Sequence, residues 1–133
     1  MSVPSGERNI ASTEFLKNAR DLQLYTMQRV KNWPTRWRYD AASPLVQDAR
    51  YVVTELKAGN KIWPTNPHEA QMRRDHFLHA QGRLDGMITQ IEIACELIEV
   101  GEKTMREWSA MAAREISLIS GVMEKDKKRF PLK

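Results

Sequence analysis

The sequence predicts an all-α protein, and specifically an antiparallel up-and-down four-helix bundle. Apolar residues recur at steps of three and four along most of the 133 residues, which is the spacing of one helical face. The chain carries no β-hairpin signal, in which alternating strands flank a tight turn. Its six prolines and six glycines lie mostly at the edges of the periodic segments or near the termini. The resulting short connections favour helices that pack against their neighbours in the chain.

The periodic segments divide the chain into a lead and one domain. Residues 1–12 are polar and are predicted to be a disordered lead, and residues 13–130 are predicted to form the bundle domain. The predicted helices span residues 13–33, 43–62, 67–100 and 104–128. We expect Ser12 or Thr13 to cap the first helix and Ser43 to cap the second, because hydroxyl groups accept hydrogen bonds from the free amides of a first turn.

The longest periodic segment predicts one unbroken third helix, about 50 Å long. Its start combines Asn66 as a cap, Pro67 at the first helical position and Glu69 as the partner in a capping box. Gly101 predicts its end, through a left-handed turn. Its inward stripe consists of Phe77, Ala80, Leu84, Met87, Ile91, Ala94 and Ile98.

The other three helices carry inward stripes of the same spacing, and these stripes are expected to cover the third helix. The fourth helix also begins with a capping-box pattern at residues 104–107. The predicted inward residues are Phe15, Ala19, Leu22, Thr26, Val30 and Trp33 in the first helix, Leu45, Ala49, Val52, Val53 and Leu56 in the second, and Met105, Trp108, Ala112, Ile116, Ile119 and Met123 in the fourth.

Composition excludes several classes of protein. Hydrophobic residues make up 41% of the chain, which is enough for a core and too many for a disordered chain. No apolar run is long enough to span a bilayer, and the start of the chain has no apolar signal region, so a cytoplasmic protein without a membrane partner is expected. The single cysteine, Cys95, cannot form a disulfide within the chain, and no histidine or acid pattern supports it as a nucleophile.

The charge of the chain is segregated along the sequence. The net charge is +4, but residues 67–101 hold three basic and six acidic residues, so the third helix is acidic and the rest is basic. A segregated excess of this kind favours a polyanion partner more than an even distribution does.

Nine of the 21 basic residues recur at helical spacing, with small residues between them. Such a face suits close approach of a phosphate chain or of another protein, and it equally fits a solvated outer face. Three faces of this kind are predicted: Arg50, Thr54, Lys57 and Lys61; Arg73, His76, Ala80 and Arg83; and Arg106, Ala110, Arg114, Ser117, Gly121, Lys125 and Lys128.

The connection between the first two helices alternates aromatic and basic residues, from Trp33 to Tyr39. Aromatic rings interleaved with arginines can stack on bases and hold phosphates. The alternative is that Trp33, Trp37 and Tyr39 close the end of the core. We favour the core for Trp33 and retain Arg36 and Arg38 as binding candidates.

No catalytic or metal-binding constellation can be assembled from the sequence. His76 and His79 lie three residues apart, but a di-iron bundle site needs Glu-x-x-His pairs on two helices, and only the third helix carries histidine. The small-xxx-small pattern from Gly82 to Gly86 indicates close helix approach or a kink rather than membrane pairing, because Arg83 and Asp85 are charged. We therefore predict no enzyme, no metal and no cofactor.

The order of short motifs from Leu24 to Phe130 resembles a known family. The motifs are Leu24-Tyr25-Thr26, Trp33-Pro34 with Arg38-Tyr39, Gln47-Asp48-Ala49, Arg73-Arg74, Gln90-Ile91-Glu92-Ile93-Ala94, Trp108 and Asp126-Lys127-Lys128-Arg129-Phe130. The chain is similar to the four-helix-bundle proteins encoded in intervening sequences of large-subunit ribosomal RNA genes. Within that group it is most similar to the accessory proteins (Avd) of diversity-generating retroelements.

The resemblance implies a ring-shaped homopentamer with a basic surface. It also implies that the protein has no catalytic site. It implies binding of RNA and DNA and of the retroelement reverse transcriptase, in support of mutagenic copying of template RNA. The alternative is a ribosomal intervening-sequence relative that acts as a structural or protein-interaction module. The residues expected to bind nucleic acid or the partner are Arg36, Arg38, Arg50, Lys57, Arg73, Arg74, Arg114, Lys125, Lys127, Lys128 and Arg129.

Overall fold

A computed structural model describes the backbone of residues 5–133 and the side chains from Glu14 onward. Over this range the chain forms four α-helices and no strand, as the sequence predicts. A 3-10 turn, Thr35–Trp37, and a π-helical turn, Arg38–Ala42, connect the first two helices. The helices are α1, Ser5–Val30; α2, Ser43–Lys61; α3, Pro67–Ile98; and α4, Glu102–Arg129.

Cross-helix contacts show that neighbouring helices run antiparallel. Between α1 and α4, Asn18 donates to the Met111 carbonyl and Thr26 accepts from Trp108. The residue number on α4 decreases as the residue number on α1 increases, so the two helices run in opposite directions. The same reversal relates α3 to α4 and α2 to α3, through the pairs Arg73–Asp126, Gln81–Ile116, Glu55–His76 and Asp48–Arg83. Each helix therefore packs on two neighbours, and α2 and α4 lie at opposite corners of the bundle.

The core consists mainly of the predicted apolar stripes, and Ala41, Cys95 and Val122 join it although they were not in those stripes. Phe77, Leu84 and Met87 of α3 are fully buried, and so are the matching positions of the other helices, with Val30, Trp33, Val53, Ile98, Met105 and Ile116 packed against them at its margin. Thr26 is the one polar residue in the predicted stripes. Its hydroxyl accepts a hydrogen bond of 3.0 Å from the Trp108 indole, so both buried polar groups are satisfied.

The first helix begins earlier and ends earlier than predicted. Residues 1–4 of the predicted disordered lead lie outside the described residues, whereas residues 5–12 belong to α1. Ser12 and Thr13 are therefore helical residues and not caps. The helix ends at Val30, where the Trp33 amide donates to the Val30 carbonyl, and not at Trp33.

The start of α2 also differs from the prediction. Ser43 is helical, with φ −60° and ψ −45°, and its amide donates to the Arg38 carbonyl. Because the π-helical turn already supplies carbonyl acceptors, the first turn of α2 needs no side-chain cap. The Ser43 hydroxyl instead accepts a hydrogen bond from Gln47.

The ends of α3 follow the prediction at the start and depart from it at the finish. Asn66 caps the helix by accepting from the Glu69 amide at 2.9 Å, while the Glu69 carboxylate accepts from Thr65 and not from the Asn66 amide. At the other end the left-handed residue is Glu99, with φ 59°, and not Gly101. Gly101 precedes α4, which begins two residues before its predicted start.

None of the helices in residues 5–133 combines the length and the apolar character needed to cross a membrane.

Candidate functional site

The predicted basic face of α2 lies on the outside of the bundle. Arg50, Thr54, Lys57 and Lys61 are all exposed, because Ala49, Val52 and Leu56 occupy the opposite side of the helix. None of the three cations has an ion-pair partner within the described residues. Their charge therefore remains uncompensated by the rest of this helix face.

The predicted basic face of α4 is also exposed over its whole length. Arg106 donates to Glu102 at 2.6 Å and Arg114 donates to Glu14 of α1 at 2.9 Å. Lys125 and Lys128 form no ion pair in the described part of the chain. Exposed pairs like the first two contribute only about 0–1 kcal/mol, so both arginines can exchange their carboxylates for a phosphate at small cost.

The predicted basic face at the start of α3 is wrong. Arg73 and Ala80 are buried, His76 contacts Glu55, and Arg83 pairs with Asp48 at 3.1 Å. Arg73 contacts the end of α2, and His76 and Arg83 contact carboxylates of α2. Arg73 is therefore unavailable to a polyanion.

Three of the remaining candidates lie at the end of the bundle where α2 and α4 finish. Arg129 donates to Asp126 at 2.9 Å and lies over the rings of Trp63 and Phe130. Lys127 is exposed and contacts Glu124 at 3.1 Å. Arg74 is half-buried and has no ion pair within the described residues. Arg129 consequently belongs to the packing of this end, while Lys127 and Arg74 remain accessible.

The connection between α1 and α2 divides its aromatic residues between two roles. Trp33 and Trp37 pack against the core, with Trp33 6.0 Å from Trp108 between ring centroids. Tyr39 is 80% exposed, so the interpretation of all three rings as core closure is wrong for this residue. Arg36 and Arg38 are exposed on the same connection.

An open cleft of about 280 Å³ lies beside this connection, and it adds a residue that sequence reasoning missed. Lys31 lines the cleft together with Arg38, Trp33 and Ser43. The signal in the sequence was the position of Lys31, a basic residue two positions before the alternation of aromatic and basic residues begins at Trp33.

The two histidines of α3 share one carboxylate. Nδ1 of His76 lies 2.5 Å from Glu55 Oε2, and Nδ1 of His79 lies 3.8 Å from Glu55 Oε1. Burial raises the pKa of Glu55, but hydrogen bonds from His76 and Tyr51 outweigh it, so the pKa is below its ordinary value. In the part of the chain that the structure describes, no group of side chains is arranged to hold a metal ion.

The thiol of Cys95 is buried, and burial raises its pKa above the ordinary value. A buried thiol of raised pKa is a poor nucleophile, which fits a packing role for this residue.

Comparison with known proteins adds no assignment, since no family model, curated protein or solved structure matches this chain.

Proposed function

We propose that this chain is a non-catalytic, nucleic-acid-binding accessory protein that acts beside the reverse transcriptase of a diversity-generating retroelement. The observation that carries the proposal is the exposure of cations without ion-pair partners among the described residues, on α2 and α4: Arg50, Lys57, Lys61, Lys125 and Lys128. Binding of phosphates by such residues releases counterions, which makes affinity steeply salt-dependent and largely independent of sequence.

The retroelement part of the proposal is supported by the sequence resemblance. In this role the protein binds RNA and DNA, docks on the polymerase and supports mutagenic copying of template RNA. A neighbouring reverse transcriptase gene with paired template and variable repeats in the genome would support it. A gene lying inside a large-subunit ribosomal RNA gene would favour the structural or protein-interaction module instead.

The salt dependence of binding is the direct test of the nucleic-acid role. Wild-type protein should bind single-stranded RNA with a negative slope of log affinity against log salt. Lys125→Ala with Lys128→Ala should reduce the magnitude of that slope by about 1.4, at about 0.7 for each lost phosphate contact. Filter binding over a salt series measures both.

The matched control removes two exposed cations outside the basic faces, Lys17→Ala with Arg20→Ala on α1. It changes the net charge equally, so a similar loss of slope would mean that overall charge and not the α4 face controls binding. A protein that binds no nucleic acid even at low salt would overturn the proposal, and a pull-down with the reverse transcriptase would then test the protein-interaction alternative.

A ring-shaped homopentamer is part of the same proposal. Because α2 and α4 lie at opposite corners, one chain presents two separate basic faces, and a continuous basic path requires several copies. The outward face of α3 offers a contact for a second copy. Ile93 and Leu97 are about half exposed there. Among the described residues, no atom beyond the adjacent residues and the local backbone of α3 lies within 4 Å of a Cβ placed on Gly82 or Gly86.

The acidic end of α3 complements the start of the α4 face, at Arg106 and Ala110, which leaves Lys125 and Lys128 at the other end of that face for nucleic acid. A contact between two different faces forms a ring when the rotation closes. Five chains of 15.4 kDa should give a particle of about 77 kDa by multi-angle light scattering.

Leu97→Lys should dissociate this particle, because it would place a cation in an apolar contact. Leu24→Lys, a residue of similar exposure on α1, should leave it intact. A stable wild-type monomer at micromolar concentration would contradict the assembly.

A further inference from the structure

The π-helical turn Arg38–Ala42 holds one aromatic ring away from the core. Ala41 and Ala42 are buried, so the end of the turn is anchored on the bundle, whereas its first three residues, Arg38, Tyr39 and Asp40, are exposed. Tyr39 is 80% exposed, the highest value among the large hydrophobic side chains described. The fold gains little from this ring, and π-helical turns occur frequently at functional sites.

The surroundings of Tyr39 are cationic. Residues 29–43 contain four basic residues and one acidic residue, Asp40, which is also exposed. Lys31, Arg36 and Arg38 have no ion-pair partner within the described residues. Lys31 and Arg38 line the open cleft, whose wall includes the Trp33 ring and Ser43. Tyr39 is not part of the cleft wall but directly follows Arg38, which is. An exposed ring next to a cleft with two uncompensated cations matches a base and its flanking phosphates.

We propose that this connection is a subsite for single-stranded nucleic acid, in which a base stacks on Tyr39 and the flanking phosphates bind Lys31 and Arg38. The inference rests on the proposed function and specifies its ligand. A ring can stack on a base only when the base is splayed from its neighbours, which a duplex prevents. The basic faces of α2 and α4 bind phosphates of either form, whereas Tyr39 favours the single strand.

The test compares a single-stranded RNA of about 12 nucleotides with a duplex of the same length. Tyr39→Ala should weaken single-strand binding about tenfold or more and leave duplex binding unchanged, as measured by fluorescence anisotropy. Tyr39→Phe keeps the ring and should bind as the wild type does. Arg38→Ala should lower the single-strand salt slope by about 0.7.

A stacking readout separates the ring from a general loss of charge or fold. An RNA that carries 2-aminopurine should lose fluorescence on binding wild-type protein or the Tyr39→Phe variant, and should lose much less on binding Tyr39→Ala. If wild-type protein binds RNA but Tyr39→Ala binds each form as tightly as the wild type does, or loses the same affinity for both forms, this inference is wrong and the proposed function stands. If wild-type protein binds neither form at low salt, the proposed function itself fails.

Discussion

Replacing Arg73 with methionine is expected to lower the free energy of unfolding by about 3–5 kcal/mol. The Arg73 side chain is only 3% exposed, and its guanidinium donates two hydrogen bonds to Asp126, the shorter at 2.7 Å. A third nitrogen donates to carbonyls at the end of α2, including Gly59 and Ile62. Methionine would keep part of the packing over Phe77 but leave these buried acceptors without their donor.

Thermal and urea unfolding measure this effect. For a domain of this size the loss corresponds to a fall in melting temperature of roughly 10–20 °C. Arg74→Met is the matched control, because Arg74 is adjacent and has no ion pair within the described residues. Equal stability of the two variants would contradict the role assigned to Arg73.

The same pair of variants distinguishes a structural arginine from a binding one. At a temperature where both remain folded, Arg73→Met should bind RNA with the wild-type salt slope, since the residue is buried. Arg74→Met removes an accessible cation, and its slope should fall by up to about 0.7 if that cation contacts a phosphate.

Ionisation of Glu115 is expected to lower stability as the pH rises from about 5 to about 8. Glu115 is fully buried on α4, and burial raises the pKa of its carboxyl to about 8, against the hydrogen bond from Asn18 and the charge of Arg114. Asn18 donates to Oε1 at 3.0 Å. Within the described residues Oε2 has no hydrogen-bond partner, so the ionised form is poorly compensated.

The direction follows from proton binding in the two states. An unfolded glutamate releases its proton near pH 4.5, whereas folded Glu115 keeps it to about pH 8. The folded state therefore binds more protons in this window, so stability is highest below it and falls by about 1.4 kcal/mol for each pH unit. The total loss is about 3–5 kcal/mol, and it is complete above the folded pKa.

Glu115→Gln should abolish this dependence. The glutamine NH₂ group would take the place of Oε2, which has no hydrogen-bond partner within the described residues. Because a buried donor without an acceptor costs free energy, we expect the variant to be less stable than the wild type at low pH. The measured quantity is the difference in free energy of unfolding between pH 5 and pH 9, from urea titrations. Glu92→Gln, at an exposed position on α3, should retain the wild-type profile, and a Glu115→Gln profile as steep as the wild type would show the assignment to be wrong.

Other carboxyls act in the opposite direction at lower pH. The Thr65 amide lowers the pKa of Glu69, and the His76 and Tyr51 contacts lower that of Glu55. Their contributions are present above the ordinary pKa of glutamate and are lost as the pH falls through their lowered values. Their effect lies below the window between pH 5 and pH 8, so the difference between the wild type and Glu115→Gln within that window reports Glu115.

Local periodicity was sufficient to place the four helices, their core stripes and the exposed basic faces of α2 and α4. When one continuous apolar stripe of a helix faces the core, the residues on the opposite side of that helix must face solvent. Leu56 and Lys57 illustrate this, since adjacent positions on one helix point to nearly opposite environments. The interruption of the core stripes by Thr26 was also tolerated, because Trp108 supplies its partner.

For side chains near the ends of helices and between two helices, only the tertiary structure decided whether they are buried or exposed and which groups they contact. Arg73 follows a helical spacing that looks like a solvated face, yet α2 and Asp126 enclose it from distant parts of the chain. Glu115 is an ionisable residue beside Arg114 in the sequence, and only the packing of α1 on α4 shows that it is buried. Tyr39 resembles Trp33 and Trp37 in the sequence, but the anchoring of Ala41 and Ala42 directs it outward. The environments of Arg73 and Glu115 are set by residues far away along the chain, and that of Tyr39 by the packing of its turn on the bundle. A local spacing pattern carries no information about either.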